Sequence, residues 1–133
     1  MPKLIILILC LSVLGCANSV KPPESYAYDN TKPIGPQFYS IQLDNGIDSR
    51  EADILATVYF SKYEGACGGN MPVVRRGRFW HSLTLVGSSG HQNPDIKIDS
   101  RSGIVGQKGH PTSIPPWDDL RAYADEVIAK LQQ

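Results

Sequence analysis

Three features of the chain predict an α+β fold. An amphipathic helical stretch follows Asp48, a block of alternating segments separated by glycine turns runs from Phe79 to Val105, and a second amphipathic stretch follows Pro116. The helices flank the strands and do not alternate with them, so the strands have only short connections and must pair antiparallel. The expected architecture is an N-terminal helix packed on a small antiparallel sheet of three to four strands, followed by a C-terminal amphipathic helix. With 133 residues the chain has room for one modest domain.

The elements follow in order. Phe38–Leu43 places Tyr39, Ile41 and Leu43 on one face and reads as a short strand or an extended lead-in, closed by an Asn45-Gly46 turn. Asp48-Ser49-Arg50-Glu51 is a helix start, with Asp48 as cap and Glu51 three residues on to reach back. Ala52, Leu55, Ala56, Tyr59 and Tyr63 recur at helical spacing, flanked by Ile54 and Val58, and Gly65 ends the run. Gly65 to Pro72, with its three glycines, reads as a loop. Val73-Val74 reads as a strand turning through Arg75-Arg76-Gly77-Arg78 into the central strand Phe79–Val86. In that strand Phe79, His81, Leu83 and Leu85 face one way, and Trp80, Ser82, Thr84 and Val86 the other.

Gly87 to Pro94 reads as another loop. Ile96 and Ile98 alternate with Asp95, Lys97 and Asp99, then turn through Ser100–Gly103 into Ile104-Val105, with Gly103 at the position needing positive φ. The last helix is expected to carry Pro115 and Pro116 in its first turn, where a missing N–H costs nothing. Asp118 and Asp119 then lie near the positive end of its dipole. Leu120, Tyr123, Ala124, Val127, Ile128 and Leu131 form its apolar stripe.

The amino terminus speaks to location. A single Lys3 precedes an uncharged run from Leu4 to Leu14, then Gly15 and Cys16. As a helix that run rises about 16 Å, well short of a hydrocarbon core of roughly 30 Å, so it reads as a cleaved export signal and not a span. Val13-Leu14-Gly15-Cys16 resembles the lipobox of bacterial lipoproteins. The resemblance implies residues 1–15 as signal peptide and Cys16 as the acylated first residue, carrying palmitate-type chains. Ala17, where an aspartate would signal retention, implies the periplasmic side of the outer membrane, or the outer face of the cytoplasmic membrane in a Gram-positive host. Residues 16–36 hold Pro22, Pro23, Pro33 and Pro36 with few aliphatics and read as a flexible tether. Residues 37–133 form the expected domain.

Composition narrows the function. Thirteen basic residues balance thirteen acidic ones, and export would remove only Lys3. Near-neutrality argues against a nucleic-acid partner, which needs a concentrated cationic excess. With Cys10 lost and Cys16 blocked, Cys67 is the one remaining thiol, and no intrachain disulfide can form. Paired with His81, His91 or His110, Cys67 is the one candidate nucleophile, but it follows a helix C-terminus, whose partial negative charge opposes a thiolate. His91 and His110, with Asp95 and Asp99 near one of them in sequence, do not have the ligand spacing that zinc requires, and no metal or cofactor is expected. Asp118-Asp119 and Glu51-Asp53 are explained as helix starts. Arg75, Arg76 and Arg78 beside Trp80 are residue types that dominate interfaces and form the candidate contact patch for an acidic protein partner. The bland alternative is a solvated turn with Trp80 in the core.

From Ala52 to Pro111 the chain resembles small immunity proteins with a nuclear-transport-factor-2-like fold. The likeness rests on Ala56-Thr57-Val58-Tyr59, Lys62-Tyr63-Glu64-Gly65, Met71-Pro72, Trp80, Leu85-Val86-Gly87, Ile96-Lys97-Ile98 through Gly103-Ile104-Val105, and Gly109-His110-Pro111. Trp80 stands further from Gly87 than in that family, and the helix after Pro116 has no counterpart there. The same scaffold hosts enzymes and binders alike. Together with the export anchor and the absence of a convincing catalytic set, however, the resemblance implies a lipid-anchored envelope protein that is not an enzyme and acts by binding, as an immunity-type inhibitor of a toxin or hydrolase. The alternatives are a structural or assembly lipoprotein of the outer membrane and a Cys67-dependent enzyme.

Overall fold

The computed structural model of the chain describes residues 25–65, 68–86 and 91–132. The expected signal peptide, acylation at Cys16 and the start of the tether lie outside these residues, as does Cys67.

From Tyr26 onward the chain is tied to the body. The Tyr26 hydroxyl donates to the Asn70 carbonyl, and the Ala27 N–H donates to Asp53 Oδ2 at 2.7 Å. Gln37 Nε2 donates to the Asp29, Lys32 and Pro33 carbonyls, which closes this segment into the short helix α1 (Ile34–Phe38). The body therefore begins well before residue 37. Composition suggested a tether there because the prolines conceal an anchor that depends on one glutamine and one aromatic, Phe38, which is fully buried. For the same reason Phe38–Leu43 is not a strand. Phe38 ends α1, and Ile41 drops into the core without pairing.

Helix α2 (Ser49–Tyr63) starts as expected. Asp48 accepts from the Glu51 N–H while the Glu51 carboxylate accepts from the Asp48 N–H, a complete capping box. Its buried residues run from Glu51 to Ala56 and from Val58 to Phe60, far more than one stripe. The reason is its central position. One side packs on the sheet, and α1 and α3 (Asp118–Leu131) pack against it and each other.

Among the described residues the sheet has five antiparallel strands, β1 (Gly68–Asn70), β2 (Val74–Arg76), β3 (Phe79–Val86), β4 (His91–Asp99) and β5 (Val105–Gly106). β3 is the hub. β1 and β2 pair along one of its edges, β4 along the other, and β5 pairs with β4. Both surplus pieces of strand came from segments read as loops. Backbone pairing needs no side chains, so Gly68-Gly69-Asn70 lies across from Thr84–Val86 despite its glycines. Pro94 sits inside β4 because Pro94 and Asp95 together oppose Leu83 in a bulge, where a proline removes no ladder bond.

The core joins Ile54, Leu55, Val58 and Tyr59 of α2 with Ile96, Ile98 and Val105 of the sheet and Leu120 and Ala124 of α3. Each large apolar side chain buried here contributes about 1.5–3 kcal/mol. Pro115 and Pro116 do not form the first turn of α3. They precede Trp117, which caps the helix in the left-handed conformation at φ 54°. Burial explains that geometry: the Trp117 indole fills the core beside Phe38 and donates from Nε1 to the Gly103 carbonyl at 2.7 Å. Among the described residues no helix is long and apolar enough to cross a membrane.

Candidate functional site

The two faces of β3 carry the site. Register places Arg75, Trp80, Ile98 and Val105 in one cross-strand row, which faces α2. Arg76, Phe79 and Asp99 form a row on the opposite, outer face, and Val74, His81, Lys97 and Gly106 form the next. Hydrophobicity alone does not assign these faces. The inner face takes the fully buried Ser82 and Thr84, while the outer face leaves Val74 57%, Phe79 40% and Leu83 38% exposed.

The inward hydroxyls are satisfied, which is what permits the inversion. Ser82 Oγ donates to the Met71 carbonyl and accepts from Asn70 Nδ2, which also reaches Thr57 Oγ1. Thr84 Oγ1 accepts from Gln107 Nε2.

The outer face is indented beside β5. A groove of about 580 Å³ is lined by Phe79, Pro94, Asp95, Lys97, Ile104 and Lys108, among others. Ile104 is itself 38% exposed. Two carboxylates stand in its wall, and Asp99 is the one held by hydrogen bonds. Arg78 grips Asp99 in a two-pronged pair, Nε to Oδ1 at 3.0 Å and Nη2 to Oδ2 at 2.6 Å. The Arg101 and Ser102 N–H groups donate to the same carboxylate. The Arg78 hydrogen bond, followed by those two N–H donors, holds Asp99 at a pKa of about 2. Asp95 lies 3.5 Å from His81 Nδ1. No ion pair or hydrogen bond from the Arg76, Lys97 or Lys108 side chains is found among the described residues.

The four residues picked from sequence therefore do not form one patch. Arg75 lies over the Trp80 ring at 5.0 Å, and Trp80 donates from Nε1 to the Ile47 carbonyl and packs against the core. Arg76 stands on the outer face across from Phe79, and Arg78 is committed to Asp99. Gly77 makes this split possible: its φ of 59° closes a two-residue hairpin that keeps Arg76 and Phe79 opposed. Sequence reading passed over Lys97, Ile104 and Lys108, although alternation with Ile96 and Ile98 already put Lys97 on the solvent side.

The other candidate groups are held in structural roles. Glu51 belongs to the capping box and also accepts from the Gln42 N–H. Asp53 accepts from the Ala27 and Val73 N–H groups, and burial raises its pKa despite those bonds. Asp119 accepts from Ser113 and Tyr63; burial opposes its ionisation, but these bonds outweigh it and lower the pKa. Burial pushes the Tyr59 phenol up to about 12, and its hydroxyl donates to the Pro111 carbonyl at 2.6 Å. His110 Nε2 lies 3.1 Å from Glu64. The His91 side chain falls outside the described residues. Among the described residues no group of three or more His, Cys, Asp or Glu side chains is placed to hold a metal ion.

No protein-family model matches the chain, and neither does any curated protein or solved structure.

Proposed function

We propose that this is a lipid-anchored envelope protein that works by binding another protein, as an immunity-type inhibitor of a toxin or hydrolase. The observation that carries the binding part is the outer sheet face. Antiparallel sheets with one solvated face place polar residues there, yet this one exposes Val74, Phe79, Leu83 and Ile104. Arg76 and Lys97 stand in the cross-strand rows of Phe79 and Val74, and Lys108 lines the groove beside Phe79 and Ile104. The lipobox supports the location, and acylation by more than one chain makes attachment lasting. The order helix, hairpin and Gly-His loop supports the immunity reading.

Competition between the parent strain and a strain lacking the gene tests this. The deletion strain is expected to be killed by its kin and rescued by the parental gene. The Cys16→Ser gene is expected to rescue poorly, because its product is released from the membrane. Equal survival of the deletion strain overturns the immunity reading.

A further inference from the structure

We infer that the groove on the outer sheet face receives a large apolar side chain from a segment of the protein partner, and that Arg76, Lys97 and Lys108 engage carboxylates flanking that side chain. This rests on the protein-binding reading and specifies what the bound surface looks like.

The apolar contribution comes from Phe79 and Ile104, which border the groove and are already partly exposed. Covering them removes apolar area from water at about 25 cal/mol per Å². Electrostatics decides what surrounds the incoming side chain. Asp99 is neutralised by Arg78 and Asp95 faces His81, whereas Arg76, Lys97 and Lys108 are exposed and have no partner among the described residues. The face is therefore cationic around an apolar depression. Exposed carboxylates gather on the helical side instead, at Asp48, Asp118, Asp125 and Glu126. The helices also carry Arg50, Lys62, Arg121 and Lys130, the last paired with Glu126. It is therefore Arg76, Lys97 and Lys108, unpartnered among the described residues, that make the groove side complementary to an acidic partner.

Binding occurs on the face and not by strand addition at β5. Ser113 already occupies the exposed edge there, exchanging both backbone hydrogen bonds with Val105 at 2.9 and 2.8 Å. Gln107 stiffens the floor. It is only 6% exposed, and Nε2 donates to the Pro94 carbonyl at 2.7 Å and to Thr84. Its Oε1 has no partner among the described residues. An anionic bilayer fits this surface less well, because its apolar groups border a depression and two carboxylates stand in the wall.

The test is selection from a phage-displayed library of random peptides against the full chain, followed by titration of the best labelled peptide. Enriched peptides are expected to carry an aromatic or large aliphatic residue flanked by Asp or Glu. Ile104→Asp is expected to weaken the selected peptide at least tenfold. Lys97→Glu, at an exposed site that cannot unfold the domain by loss of burial, is expected to slow association several-fold and flatten its salt dependence. Lys130→Glu on α3 is expected to change neither. Enrichment of basic or uncharged peptides, no enrichment, or binding indifferent to the face variants overturns the inference. Displacement of the peptide by phosphatidylglycerol vesicles reassigns the face to a membrane. Self-association lost in Ile104→Asp reassigns it to a second copy. Either result also overturns the inference. A deletion strain that survives competition while the selected peptide behaves as expected removes the immunity role and leaves the groove standing. Full protection by both Ile104→Asp and Lys97→Glu chains removes the groove and leaves the role standing.

Discussion

Replacing Asp99 by asparagine tests the clasp that shapes the groove wall. In the folded chain its carboxylate takes the Arg78 guanidinium and the Arg101 and Ser102 N–H groups, and its pKa falls from 3.8 to about 2. At roughly 1.4 kcal/mol per pKa unit, that depression sets a ceiling near 2.5 kcal/mol. Arg78 is 53% exposed, so water and salt screen the pair, and about 1–1.5 kcal/mol is the expected cost. With a urea slope of about 1–1.5 kcal/mol per M, the Asp99→Asn variant should unfold near 1 M less urea at pH 7, followed by tryptophan fluorescence. The sign with pH is fixed. A carboxyl whose folded pKa is depressed stabilises above its unfolded pKa, so the gap is whole above about pH 5. It closes as pH falls through 3.8 toward 2. A gap that stays constant from pH 7 to about pH 2.5, or widens on acidification, would refute the assignment of the clasp to the ionised carboxylate.

Two other outcomes follow from the geometry, and a third from the proposed lipid anchor. Gly103→Ala sets a Cβ 2.8 Å from both Leu43 Cδ2 and Trp117 Cζ2 at a φ of 71°; a fall in melting temperature of about 5–10 °C is expected, and an unchanged melting temperature contradicts it. Asp53→Ala removes the acceptor shared by Ala27 and Val73, so amide exchange at those two residues should accelerate more than in the middle of α2. Uniform acceleration would mean that the segment from Tyr26 is held elsewhere. Cys16→Ser should abolish incorporation of labelled palmitate and move the chain from the membrane to the soluble fraction; continued labelling would place the acyl group on another residue.

Much of the fold was legible because local chemistry determines it. Asp48 and Glu51 cap α2 through their own side chains, and Gly103 turns because its φ is positive, so both could be read from a few adjacent residues. The α+β class followed from the order of periodic segments. What escaped depended on distant partners. β1 exists because β3 offers it an edge, and Pro94 is tolerated because Leu83 leaves room for a bulge. The anchoring of residues 26–38 depends on Asp53 and Asn70, at separations of 26 and 44 residues for the two key bonds. The arginine cluster was visible as composition, but only pairing revealed that Arg75 and Arg76 point to opposite faces.

The orientation of β3 is the deepest of these cases. Its sequence offers Phe79, Leu83 and Leu85 on one side and Trp80, Ser82 and Thr84 on the other, and hydrophobicity favours burying the first set. The neighbours favour the second. Ile96 and Ile98 of β4 line up with Ser82 and Trp80, so turning β3 over would split the apolar rows between two faces. Burying Ser82 and Thr84 adds little penalty because Asn70, Met71 and Gln107 supply their hydrogen bonds. Phe79 and Leu83 are then left on the outer face, partly exposed, where folding derives less from them than from the inner row. Replacing Leu83 by threonine should therefore cost less than about 0.5 kcal/mol, whereas Ile98→Thr, on the face that packs, should cost several times more. Comparable losses at the two positions would mean that the outer face is itself part of the core, and an apolar surface that folding requires is not one free to receive a partner.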